Sequence, residues 1–153
     1  MEWASKVPDA MDALVVAFRT SSGLEGVTVW DGPTVSKATP QEMLSVGFTG
    51  VDGETDAESS SAAAGMTTRR DMETFTVRCA AAVLRGSTDV AAVRRRAYEL
   101  LAAAGEAIAR DETLGGVVLR AMVGSHTLTQ DQTSNGAQAV VAFGVDCEAF
   151  TGR

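Results

Sequence analysis

Two stretches of strict period-two alternation constrain this chain more than any other feature. Phe75, Val77, Cys79, Ala81 and Val83 alternate with Thr74, Thr76, Arg78, Ala80 and Ala82. Near the end of the chain, Val141, Phe143, Val145, Cys147 and Ala149 share one parity while Asp146 and Glu148 take the other. Successive side chains of a strand point to opposite faces, so each stretch predicts a long strand with one buried face. Such strands need neighbours along their edges and a cover on the apolar face.

The cover is legible between and before them. Val90, Val93, Ala97, Leu100, Leu101, Ala104 and Ile108 form one stripe of a helix that ends near Arg110 and is about 34 Å long at 1.5 Å per residue. Thr88 is read as its cap and Asp89 as its first residue, matched to the positive end of the helix dipole. Gly105 inside it costs roughly 1 kcal/mol against alanine. Met11, Leu14, Val15 and Phe18 predict an earlier helix, entered at Pro8 and stopped by Ser21-Ser22-Gly23. Short strands are expected at Val27–Trp30, closed by Asp31-Gly32-Pro33, and at Met43–Thr49. Val117–Leu128 and Ala137–Phe150 read as the last two strands, with Asn135-Gly136 at the turn.

Residues 50–70 show no apolar periodicity and read as a long flexible excursion with an acidic start, a serine run and a basic end. The order α-β-β-loop-β-α-β-β predicts one α+β domain over residues 1–153, a largely antiparallel sheet of about five strands with two helices packed on one face. A chain of 153 residues can bury a core of this kind. No apolar run approaches the ~20 residues of a membrane span, and the acidic N-terminus does not read as a secretory signal. A cytosol-type soluble domain is expected.

The net charge is −7, with 20 acidic against 13 basic residues, which disfavours general attraction to phosphate backbones. The acidity is concentrated early: residues 1–70 carry 10 acidic and 5 basic groups, residues 71–126 carry 7 of each. One histidine, His126, and two cysteines, Cys79 and Cys147, leave little for metal chemistry, and the cysteines share the inward parity of their strands. Asp52-Gly53-Glu54-Thr55-Asp56 resembles the opening of a calcium loop, but Ala57 and Ala63 stand where its glycine and closing glutamate belong. Gly47, Gly50 and Gly53 form no phosphate-binding pattern. Ser125 and His126 are adjacent on a strand and so face opposite ways, which argues against a nucleophile–base pair. Asp111-Glu112 reads as a solvated loop beside a helix end. No catalytic, metal-binding or cofactor-binding residue is therefore assigned.

Arg94-Arg95-Arg96 is the one basic cluster. It reads either as a helix face paired with its own acids, Arg95 with Glu99 and Arg110 with Glu106, or as a docking strip for an acidic surface. Together with Asp52, Glu54, Asp56, Arg69 and Arg70 it forms the candidate subunit or partner interface.

An ordered string of residues resembles a known family. It comprises Val27-Thr28-Val29-Trp30-Asp31-Gly32-Pro33, then Val46-Gly47, then Glu73-Thr74-Phe75-Thr76-Val77-Arg78-Cys79. Gly86, Asp89, Arg96, Asp111-Glu112-Thr113-Leu114-Gly115-Gly116, Leu128, Gln130, Gln132 and Gly136 follow in order. Over residues 8–150 the arrangement is similar to that of the tail terminator, or tail completion, proteins of long-tailed phages infecting actinobacteria. The resemblance implies a small α/β subunit of a hexameric ring in the virion, at the head–tail junction, assembled in the host cytoplasm. Such a ring caps the tail tube, ends its polymerisation and joins the tube protein to the connector protein of the head neck. DNA would pass through it without specific binding. The resemblance carries no catalytic residues and no cofactors. Head-to-tail connectors of related fold are the nearest alternative; a small ligand- or peptide-binding module and a hydrolase built on Ser125 or His126 are more distant ones.

Overall fold

The computed structural model describes residues 3–34, 39–50, 53–63 and 71–151. Helix α1 spans Val7–Thr20, with proline in its first turn and Asp9 beside it. Ala10, Leu14, Val15 and Phe18 are buried, and the Ser21 N–H closes the helix on the Phe18 carbonyl. A single 3₁₀ turn, Ser22–Leu24, leads to strand β1, Thr28–Asp31. Strand β2, Glu42–Val46, lies parallel to β1, with Thr28 opposite Met43 and Asp31 opposite Val46. Where β1 ends, the Gly32 N–H, at a φ of 75°, donates to the Val46 carbonyl at 2.8 Å.

Strand β3, Ala57–Ala63, corrects the sequence reading: the sheet has six strands, not five, and the sixth lies within the stretch expected to be a loop. Its sequence, AESSSAA, is exposed at six of seven positions, so apolar periodicity could not announce it. Backbone pairing with β4 holds it, with Ser59 opposite Phe75 and Ser61 opposite Glu73. Of the rest of that expectation, residues 50 and 53–56 carry no helix or strand, and residues 51–52 and 64–70 lie outside the described residues.

Strand β4, Asp71–Arg85, is the hub of the sheet. One edge pairs with β3 along residues 71–77 and with β2 along residues 79–83; the other pairs with β6, Gly136–Phe150, over nearly its whole length. Strand β5, Arg120–Thr133, completes the order β1-β2-β4-β6-β5, and every pairing except β1 with β2 is antiparallel. Ser134-Asn135 turn the β5–β6 hairpin, and Gly136 follows at a φ of 117°. A Cβ there would lie 1.8 Å from the Arg85 carbonyl oxygen, so only glycine fits.

Helix α2 spans Val90–Ala109. Its cap is Asp89 rather than Thr88: the Asp89 carboxylate accepts from the Ala92 N–H at 3.1 Å. A carboxylate satisfies an orphan N–H and meets the helix dipole at once. The inward residues of β4 and β6 join Leu14 and Phe18 of α1 and Val93, Ala97, Leu100, Ala104 and Ile108 of α2 in one core. The fold is thus α+β, both helices packing against the sheet. Phe18, Phe75 and Phe143 are the largest apolar side chains at its centre.

Candidate functional site

The arginine run divides by geometry. On a helix each residue advances about 100°, so with Val93 and Ala97 turned to the core, Arg95 stands outermost and Arg94 and Arg96 flank it. Arg96 grips Glu42 of β2 with two hydrogen bonds, Nε to Oε2 at 2.8 Å and Nη2 to Oε1 at 3.0 Å. Arg85 adds a third contact to Glu42 at 3.0 Å. The bond from Arg96 is the main reason the Glu42 carboxyl lies below its ordinary range; partial burial pulls the other way, and the Arg96 and Arg85 charges reinforce the lowering. Arg94 donates to the Gln130 side chain of β5 at 2.8 Å. Glu99 pairs with Arg96 at 3.7 Å, not with Arg95 as its i+4 spacing suggested. The Glu106–Arg110 pair forms as expected, also at 3.7 Å. Among the described residues Arg95 is exposed and makes no ion pair.

The acidic half of the expected interface lies elsewhere. Glu54 accepts from the Thr49 hydroxyl at 3.0 Å, and the Asp56 carbonyl accepts from the Arg78 N–H at 2.9 Å. Glu54 and Arg78 line a hollow of about 30 Å³ with Thr49, Ser125 and Thr127. Arg78 has the outward parity of β4, so this hollow opens on the sheet face away from α2. The Arg78 Nε is buried there with no hydrogen-bond partner. Glu54 and Asp56 are therefore not brought together with Arg94–Arg96. Asp52, Arg69 and Arg70 lie outside the described residues.

A larger groove separates α1 from the end of α2. It has a volume of about 650 Å³ and is lined by Asp9, Asp12, Val16, Ala107, Asp111 and Val117, among others. Val16 is 61% exposed, unusual for a valine on a packed helix. The floor is fixed by the loop after α2. Asp111 Oδ1 accepts from the Thr113 N–H at 3.2 Å and its hydroxyl at 2.7 Å, while Oδ2 accepts from the Gly115 N–H at 2.8 Å. The Thr113 hydroxyl, then the Gly115 N–H, hold the Asp111 carboxyl below its ordinary range. This clamp fixes three successive left-handed residues, Leu114 at a φ of 51°, Gly115 at 74° and Gly116 at 90°. A leucine in that region is strained, and its side chain is buried.

One functionally placed residue escaped sequence reasoning. Glu73 has no exposed surface. Its Oε1 accepts from the Lys6 N–H at 2.7 Å; its Oε2 accepts from the Ser5 and Ser59 hydroxyls, each at 2.5 Å. It thus ties the start of α1 to β4 and β3. The signal was available, since Glu73 shares the inward parity of Phe75 and Val77, and a carboxylate there must find donors.

The hairpin explains His126. A bulge between Val123 and His126 places Gly124 and Ser125 against the single residue Gly144, and His126 opposes Phe143 on the inner side. Its ring meets Tyr98 of α2 edge-on, centroids 5.4 Å apart, with Nδ1 3.4 Å from the phenol oxygen. Ser125 lines the outer hollow. Cys79 and Cys147 are buried, and burial pushes both thiols up to about 12. Among the described residues no group of three or more His, Cys, Asp or Glu side chains is placed to hold a metal ion, and no helix is long and apolar enough to cross a membrane. No protein-family model matches the chain, and no curated protein matches it in sequence.

Proposed function

We propose that the chain is a structural subunit of a phage tail terminator, forming a homo-oligomeric ring, hexameric in this reading, that caps the tail tube and joins it to the head neck. The observation that carries this reading beyond the resemblance is the asymmetry of the sheet. One flank ends in β5, a 14-residue edge whose outer side pairs with no described strand; the other ends in the short strands β3 and β1. Long edges invite a partner. Two unlike flanks favour heterologous, head-to-tail contacts, which close into rings when the rotation permits. A small acidic subunit also suits a channel that DNA must cross without being held.

The test is a polymerisation assay. Purified chain is added to a tail tube protein that extends without limit, and tube length and ends are followed by negative-stain microscopy. Shortened tubes with a ring at one end are expected. Unchanged tube lengths with bare ends would overturn the reading. Rings that bind the neck connector but leave tube growth untouched would select the connector alternative instead.

A further inference from the structure

Among the described residues, two exposed surface features carry opposite charge and are complementary. The first is the groove of about 650 Å³ beside α1. Its wall is apolar at Val16, Ala17 and Val117, and its rim carries Asp9, Asp12 and Asp111. Asp9 and Asp12 are exposed and engage no hydrogen bond or ion pair among the described residues. Arg110, the one cation on the rim among the described residues, is already paired with Glu106. The second feature is the outer ridge of α2. There Arg95 stands exposed and unpaired, beside Arg94, which is held only by the neutral Gln130 side chain. The exposed residues one turn before them, Ala91 and Ala92, are small, and Glu99, one turn after Arg95, is turned to Arg96, so the ridge can enter a groove closely.

We propose that the groove takes the Arg94–Arg95 ridge of a second copy of this chain. Charge complementarity selects the occupant: a groove with three carboxylates and one compensated arginine favours a cationic, low-relief helix face, and α2 is such a face. The two surfaces also lie toward opposite ends of α2. Arg94 and Arg95 stand near its start, whereas Ala107 and Arg110, at its end, line the groove. A contact between such unlike surfaces is head-to-tail and leaves one groove and one ridge free for the next copy. The proposal rests on the assembly reading above and names the contact by which copies would join.

Charge reversal tests it on the full chain. Arg95→Glu and Asp12→Arg both change exposed side chains, so the fold is not at stake. Arg95→Glu makes the chain two units more acidic than −7, and Asp12→Arg makes it two units less so. If net charge alone governed association, the first variant would associate more weakly and the second more strongly. Docking of ridge into groove instead requires both to weaken self-association, each by about tenfold or more. An equimolar mixture of the two variants should recover it, because each then offers what the other's altered surface needs. Sedimentation velocity over a concentration series reads all four samples. Variants that associate like the wild type, or a mixture no stronger than its components, would overturn the contact while leaving tube capping to be decided by the polymerisation assay. A wild-type chain that stays monomeric at its highest soluble concentration would overturn it too, again independently of that assay.

Discussion

Glu73 and Glu42 show how differently two carboxylates can serve one fold. Glu73 is wholly buried and balanced by three donors, two of them hydroxyls and one a backbone N–H at the entry to α1. Replacing it with alanine empties a fully buried position and takes the acceptor from all three donors at once, so Glu73→Ala should cost roughly 2–4 kcal/mol, read as a lower urea midpoint at unchanged slope. Ser59→Ala removes one donor and should cost only about 1 kcal/mol. Equal losses from the two variants would show that the carboxylate is not the centre of the network. Glu42 is different, being partly solvated and held by Arg96 and Arg85. Its carboxyl is lowered in the folded chain, so its contribution is present above the ordinary glutamate range near 4.5 and is lost as pH falls through the lower folded value. Solvent screening keeps that contribution below about 1 kcal/mol. Wild type and Glu42→Gln should therefore differ at neutral pH and converge in acid. A gap that is constant across the titration would mean the ion pair does not stabilise the fold.

Elements differ in how clearly the residues announce them. β4, β6 and α2 were legible because each buries one face, and burial imposes a period of two or 3.6 on the side chains. β3 was not, because AESSSAA buries almost nothing and is held by its backbone. The parallel pairing of β1 with β2 depends on contacts distant in the chain, which no local period records. Of the candidate interface, the exposure of Arg95 follows from helix periodicity, whereas the capture of Arg96 by Glu42, 54 residues away, does not. The β5 bulge is equally silent in the residues and has a large effect. It shifts the phase of the strand, so that His126, Leu128 and Gln130 face α2 along with Ala121 and Val123. Deleting Ser125 should remove the bulge, leave Gly124 alone opposite Gly144 and keep His126 and Leu128 on the inner face. Leu128 would stay at the core margin and the Tyr98–His126 contact would persist. A loss below about 1 kcal/mol is expected, since no buried side chain changes face. A much larger fall in melting temperature would show that the bulge does more than set the phase of the strand.

At the scale of the whole molecule, charge decides which macromolecules the surface can meet. Of its three clustered arginines, Arg96 is compensated by Glu42 and Glu99, and the chain as a whole stands at −7. Six such subunits would carry roughly −42, a scale on which repulsion of a polyanion dominates over a few exposed guanidinium groups. Binding to duplex DNA by phosphate contacts releases counterions and so weakens steeply with salt. The chain should therefore show no such binding: fluorescence anisotropy of a labelled duplex is expected to stay flat from low to physiological salt. Arg95→Glu should leave that flat line unchanged, even as it weakens contact between copies. Retention of the duplex at low salt, lost on adding salt and abolished by Arg95→Glu, would reassign the α2 ridge from subunit contact to phosphate contact. The same basic strip cannot serve a DNA-repelling channel and a DNA-gripping surface, so this measurement separates an assembly subunit from a nucleic-acid-binding one.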